Sequence, residues 1–401
     1  MTAPDPKVLI LAETGPPLRT DLTPGQVAAL LALRHTVKVT PAPGRLWDVR
    51  GNQRVGVLRS GTGADRLEIR IQPKMPIERL LFLIGDASAT QFWREETVTA
   101  DRDAHLETVV ADLFARTLAQ ALDQGVLHGY RYVEDDSSVV RGRIRTSAML
   151  RRGGFPLPIP VAYDDFTANT DENRILRTAA DRCLALSKLS EQTRTRLRHQ
   201  TDKLIAAVVL PRGTPPPLWT PTRLNERYHP ALRLAELILR ASSPDPGRGG
   251  GTTMNGFVVD LEDVFERFLT RHLLQTLARR GLRSAAQREH RLDEAQRITI
   301  RPDMTVYRNG RVAAVVDAKY AALSAGRPGN EHTYQLVAYC TALGLTHGHL
   351  VYAAGEPALT THTIRTAGSA ITAHALDLDQ PPERVAAQID AIGDWIVDTV
   401  A

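Results

Sequence analysis

The sequence predicts a multidomain α/β chain with a small β-rich amino-terminal module, a mainly helical middle region carrying a β-hairpin, and a carboxy-terminal α/β domain. Three observations carry that prediction. At 401 residues the chain is too long for one ordinary core. Residues 241–256, ASSPDPGRGGGTTMNG, are too rich in Ser, Pro and Gly to bury a core and read as a linker. The hydrophobic period also changes at that point, from mostly helical before it to a helix followed by strands after it.

In residues 1–75, Val8–Leu11 is a short apolar run. Thr23-Pro24 opens a helix through Leu33, with Thr23 as cap and Pro24 in the first helical position. Val37–Val39, Val55–Arg59 and Leu67–Ile71 read as strands between Gly and Pro breaks. In 76–240, apolar residues at helical spacing predict helices over Pro76–Ala87, Asp103–Asp123, Glu172–Ser187, Gln192–Val209 and Pro230–Arg240. Tyr130–Arg145 reads as a hairpin folded at the polar stretch Glu134–Ser138, with a basic second strand. In 257–401, Val258–Arg280 is an amphipathic helix with Leu261, Val264, Phe265, Phe268, Leu269 and Leu273 on one broad face. Strands follow near Arg283–Arg291, Ile298–Tyr307 and Val312–Lys319, then a helix at Glu331–Leu343 and a strand at His349–Tyr352.

Composition narrows the class. The chain is 43% hydrophobic and 24% charged, as expected of a globular protein in water. It lacks the roughly 18 consecutive apolar residues of a membrane span, and MTAPDPKVLI has no basic segment leading into an apolar one. Cys183 and Cys340 are far apart without a CxxC partner, which argues against a zinc module or disulfide framework and fits a reducing cytoplasm. The net charge of +5 suits contact with a polyanion. Nearly all of it is arginine; lysine stands only at 7, 38, 74, 188, 203 and 319. Where lysine persists against that bias, its compact ammonium and adjustable titration are candidates for a role arginine does not fill.

The chemistry-bearing pattern is Arg301-Pro302-Asp303, thirteen residues, then Asp317-Ala318-Lys319-Tyr320. Between them Asn309-Gly310 separates two β-like runs, a strong hairpin signal. The turn folds the strand of Asp303 back beside the one ending at Lys319. Asp317 and Lys319, two apart, project from one face. Two carboxylates there make a hard oxygen site suited to Mg²⁺, and a neighbouring ammonium is placed to orient or help deprotonate a hydrolytic water. Glu266, an acid between Phe265 and Phe268, is the candidate for completing the ion's shell. Gln335 and Tyr339 share one helix face and are candidates for DNA contact or support. An isolated Asp-x-Lys is usually a solvated surface pair; at the end of the apolar run Val312–Val316 such charges are costly unless paired or metal-bound. The pattern resembles the core of PD-(D/E)xK restriction-endonuclease-like nucleases, which implies a Mg²⁺-dependent endodeoxyribonuclease.

Over nearly its whole length the chain resembles McrC, the nuclease subunit family of the McrBC modification-dependent (type IV) restriction systems. The resemblance rests on Ile71-Gln72-Pro73-Lys74-Met75-Pro76-Ile77, Arg141-Gly142-Arg143-Ile144, Tyr163-Asp164-Asp165-Phe166 with Asn173-Arg174-Ile175-Leu176, and Glu226-Arg227-Tyr228. Phe265-Glu266, the two Asp motifs and Tyr334-Gln335 with Tyr339 follow in the family's order. It implies cutting of double-stranded DNA carrying modified cytosine, in concert with a McrB-like AAA+ hexamer that hydrolyses GTP and into whose ring McrC inserts an amino-terminal element. The absence of a GxxxxGK[ST] loop agrees that the motor is a separate chain. Arg141, Arg143 and Arg145 are the candidates for touching that ring; solvated arginines on a structural hairpin are the plainer reading. Two other functions stay open: a stand-alone DNA-repair nuclease, and a non-catalytic adaptor that only stimulates a motor.

Overall fold

A computed structural model describes residues 6–61, 63–84, 106–153, 157–186, 188–241, 255–323, 326–355, 359–365 and 368–400. The linker expected at 241–256 lies mostly outside them, as does the end of the helix expected at Pro76–Ala87. The chain is a mixed α/β multidomain protein. It divides into two compact units assembled from separated stretches: residues 1–9, 56–69 and 91–258, and residues 10–55, 70–90 and 259–401. Among the described residues no helix is long and apolar enough to cross a membrane.

The first unit is mainly helical. Leu106–Ala121, Asp171–Leu184, Glu191–Lys203 and His229–Ala241 bury apolar stripes that include Val110, Phe114, Leu118, Leu176, Leu197 and Ile238. Thr170 and Ser190 cap the second and third of these, each accepting a bond from a backbone N–H three residues on. The expected hairpin at Tyr130–Arg145 is corrected. Gly129–Ser137 runs straight through the polar stretch and pairs antiparallel with Ile159–Thr167, as does the short strand Arg143–Ile144 on that strand's other edge. Glu134, Asp135 and Asp136 are solvent-facing on an exposed strand, where polar side chains do not interrupt the ladder. The true central strand, Ile159–Thr167, brings Val161 and Ala162 into the core.

In the second unit, Pro24–Ala32 is capped as its sequence demands: Thr23 Oγ accepts from Gln26 N while Gln26 Oε1 accepts from Thr23 N. A three-stranded sheet orders Leu18–Thr20, Leu46–Gly51 and Val37–Ala42. Asn255–Asp260 is a strand and not the start of the long helix. The helix spans Leu261–Arg279 because Asp260 caps it through Glu262 N and Asp263 N. That helix packs Phe265, Phe268, Leu269 and Leu273 inward.

The main sheet of this unit has six strands, in the order Arg283–Ala286, Met304–Arg308, Arg311–Leu323, His347–Gly355, Ala370–Ala375 and Thr360–Thr363. Arg311–Leu323 pairs antiparallel with Met304–Arg308 and parallel with His347–Gly355. Helix Asn330–Leu343 supplies the crossover between the parallel pair, burying Leu336, Tyr339 and Cys340 against Val315, Leu350 and Ile371. Each fully buried valine or leucine here contributes about 1.5–3 kcal/mol. The strands Thr360–Thr363 and Ala370–Ala375 and the helix Pro382–Val400 complete the unit.

Candidate active site

Asn309 and Gly310 both have positive φ, 50° and 78°, as a two-residue hairpin turn requires. The turn sets Met304 opposite Val316 and Arg308 opposite Arg311, with a bulge between Val306 and Tyr307. Asp303, one residue before the paired stretch, therefore falls beside Asp317. Its Oδ2 accepts from Ala318 N at 2.8 Å, and its carbonyl accepts from Gln287 N at 2.9 Å. The expected single strand Ile298–Tyr307 is in fact two, Thr299–Ile300 and Met304–Arg308, broken at Arg301-Pro302-Asp303 because proline donates nothing to a ladder. That break frees the carboxylate to turn across the hairpin.

Asp317 is 1% exposed and Lys319 8%, so this strand, which continues past the expected end at Lys319 to Leu323, buries both charges. Lys319 Nζ lies 2.6 Å from Asp317 Oδ2 and donates to Gln335 Oε1 at 2.9 Å. Gln335 Nε2 in turn donates to Tyr339 Oη at 2.8 Å, so the two helix residues form one relay that aims the ammonium. The Asp317–Lys319 contact is a short, buried ion pair in which the ammonium faces Asp317 Oδ2 directly. Glu266 comes from the long helix; its Oε1 accepts from Gln287 Nε2. Gln287, at φ 44°, thus bridges the Asp303 backbone and the Glu266 side chain, a link nothing in the sequence announces.

Electrostatics follow from this packing. Burial, then the neighbouring Asp317 and Glu266 carboxylates, push the Asp303 carboxyl up to about 8. Burial also raises Glu266 against the bond from Gln287. Burial works to lower Lys319, but the adjacent Asp317 outweighs it, so the ammonium is held above its ordinary value. Among the described residues no three His, Cys, Asp or Glu side chains stand close enough to cage a metal ion. A buried carboxylate, beside a second carboxyl pushed upward by burial and by like charge, nevertheless fits a hard divalent cation. Mg²⁺ is commonly held by one or two carboxylates and its own waters.

The structure thus brings Asp303, Asp317, Lys319, Gln335 and Tyr339 together, with Glu266 coupled to them electrostatically. Arg141, Arg143 and Arg145 belong to the other unit. Arg141 pairs with Asp165 at 3.1 Å and stacks 4.4 Å over the Tyr163 ring, Arg145 pairs with Glu134 at 2.6 Å, and Arg143 lies exposed in its short strand.

Fold and site define an α/β chain whose main sheet carries a buried cluster of two carboxylates and a lysine. The family of McrBC 5-methylcytosine restriction system components matches residues 49–353, and the chain belongs to that family. No curated protein matches it. Among solved structures, a chain of the half-complex from the tetradecameric assembly of Thermococcus gammatolerans McrB AAA+ hexamers with bound McrC is similar, at 17% identity and a TM-score of 0.52. That similarity covers 97% of this chain and 100% of that one, and at such identity it speaks to fold alone. A chain of the Thermococcus gammatolerans McrBC complex seen by cryo-EM is 18% identical over 68% of this chain and 88% of that one, with a TM-score of 0.38, too slight an overlap to argue from.

Proposed function

We propose that this chain is the McrC-like, DNA-cutting subunit of a McrBC-type restriction system, hydrolysing phosphodiester bonds of double-stranded DNA that carries modified cytosine. The observation that carries this reading is the convergence of Asp303 and Asp317 with Lys319 at one buried spot on a PD-(D/E)xK-like hairpin. Asp303 and Asp317 would hold Mg²⁺ together with the ion's own waters, and Glu266 would act on the site through its charge. When bound, the ion lowers the pKa of a water and offsets charge building on the phosphate.

The chain's own groups do the rest. Asp317 is fixed by burial, and Asp303 by the Ala318 amide, so neither carboxylate must reorganise when DNA arrives. Lys319 stays an ammonium in this setting, because its pKa is raised. Beside the two carboxylates it is placed to orient the attacking water and to offset charge at the phosphate. Gln335, itself held by Tyr339, fixes the direction of that ammonium.

The partner is a McrB-like AAA+ hexamer that hydrolyses GTP; the family match and the McrB hexamers named with bound McrC in a structure of similar fold support that assignment. Asp317→Ala is the test. Supplied with the motor, GTP, Mg²⁺ and 5-methylcytosine DNA, the variant is expected to bind the motor and leave DNA intact. Wild-type cutting by Asp317→Ala sinks the catalytic reading and leaves the adaptor.

A further inference from the structure

The strand that carries Asp317 and Lys319 loses its sheet partners just past the lysine. Its antiparallel pairing with Met304–Arg308 ends at Val316. On the other edge, pairing with His347–Gly355 reaches Lys319 opposite Tyr352, lapses, and resumes only at Ala322. Tyr320 therefore needs partners from outside the sheet. It finds them in the amino-terminal stretch of the same unit. Gln53 Nε2 donates to the Tyr320 carbonyl at 3.1 Å, and Tyr320 Oη donates to Glu13 Oε1 at 3.2 Å.

These two contacts belong to one connected brace. The Glu13 carbonyl accepts from Gln53 N at 3.0 Å, and Glu13 Oε2 accepts from Lys74 N at 3.2 Å. The Gln53 carbonyl accepts at 3.1 Å from Leu261 N, the first residue of the helix that bears Glu266. Beside it Arg54 pairs with Asp260, the cap of that helix, at 3.1 Å. The approach is tight. A Cβ on Gly51 would stand 2.3 Å from the Ala12 carbonyl oxygen and 2.8 Å from that of Glu13. Gln53 is held at φ 54°, a conformation residues with side chains seldom adopt, and Glu13 is a carboxylate only 3% exposed. Buried acids and left-handed backbone persist where the surroundings demand them, and they concentrate at functional sites.

We propose that Gln53 and Glu13 are positioning residues, clamping the Lys319 end of its strand to the helix that carries Glu266. This rests on the catalytic reading of Asp317 and Lys319. The clamp acts through Tyr320: it fixes the peptide that follows Lys319 and so the direction in which the ammonium points.

The test uses the full chain with its motor, GTP, Mg²⁺ and 5-methylcytosine DNA, comparing Tyr320→Phe, Glu13→Gln, Gln53→Gly and the Tyr320→Phe/Glu13→Gln pair. Glycine suits the left-handed backbone at 53, so that variant removes the amide without adding strain. Tyr320→Phe and Gln53→Gly are each expected to lower kcat about tenfold, with half-saturating DNA within about twofold of wild type. Stimulation of the motor should persist, and Tm should stay within about 2 °C. Glu13→Gln keeps one acceptor oxygen for two donors, Tyr320 Oη and Lys74 N, so alone it should cost less than Tyr320→Phe, and the pair should be no worse than Tyr320→Phe alone. Unchanged kcat in Tyr320→Phe and Gln53→Gly overturns the clamp, as does a loss of cutting matched by falling Tm and lost stimulation. Asp317→Ala is run alongside. If it still cuts, the catalytic reading itself has failed; if it is inert while the clamp variants cut normally, the clamp alone has failed.

Discussion

Arg311–Leu323 and Gly129–Ser137 are both strands bearing charged side chains, and they house them in opposite ways. In the first, Asp317 and Lys319 are buried, within an ion pair of 2.6 Å and a relay running to Gln335 and Tyr339. In the second, Arg131, Glu134, Asp135 and Asp136 face water, and the pairs Arg145–Glu134 and Arg152–Asp136 lie at the surface. A charge pair kept in a buried position is expensive, and removing one member leaves the other uncompensated. A surface pair is worth little, and its members are individually replaceable. Burial therefore separates the charges that hold a chemistry in place from those that keep a surface wet.

That contrast breaks most visibly at Lys319. Lys319→Met is expected to reduce Mg²⁺-dependent cutting by at least about a hundredfold while the motor's GTP hydrolysis remains stimulated. Gel-based cleavage and phosphate release, measured on the same complex, check both halves. Loss of stimulation as well would mean that the buried site and motor contact are not separable.

A step smaller is Gln335→Leu, which removes the acceptor that aims the ammonium and should slow cutting by roughly tenfold. Single-turnover cleavage at saturating DNA reads that effect, and a wild-type rate would remove Gln335 from the relay.

The crowded carboxylates make a pH prediction. Asp303 has a folded-state pKa of about 8 against an ordinary 3.8, so the folded protein holds a proton that the unfolded chain releases. The stabilisation from that proton is fully present below about pH 3.8 and declines as pH rises, being lost through about pH 8. Without divalent cations, Tm should fall between pH 5 and pH 8 more steeply in the wild type than in Asp303→Asn. Mg²⁺ should raise the wild-type Tm more at the higher pH, where Asp303 has given up its proton. Parallel melting curves for the two proteins would break the argument.

Smaller still is Gly310→Ala. The position is at φ 78° with nothing within 4 Å of where the added methyl would sit, so strain in the left-handed turn is the whole cost, about 1–2 kcal/mol by urea unfolding. Least of all is Arg141→Ala on the exposed strand side, expected to change stability by under about 1 kcal/mol. A larger loss would show that the surface arginines are more than solvated charges.

The hairpin that builds the site was legible because Asn-Gly is a local rule, satisfied by two positive φ values, and alternation then fixes which side chains share a face. The Thr23–Gln26 capping box was legible for the same reason. The misplaced hairpin at Tyr130–Arg145 shows the limit. Its strands pair not with each other but with Ile159–Thr167, and an exposed strand carries no hydrophobic alternation to mark its partner. The strands Thr360–Thr363 and Ala370–Ala375 and the last helix went unread. Gln53 and Tyr320 lie 267 residues apart, and Glu13 and Tyr320 lie 307 apart, distances over which no local pattern speaks.

Asp303 and Asp317 are proposed to hold a divalent cation together. Titrating the full chain with Mn²⁺ and following free metal by electron paramagnetic resonance tests it without any turnover. One saturable site is expected in the wild type, disappearing in the Asp303→Asn/Asp317→Asn protein while its fold survives by circular dichroism. Retention of that site in the doubly substituted protein would contradict it.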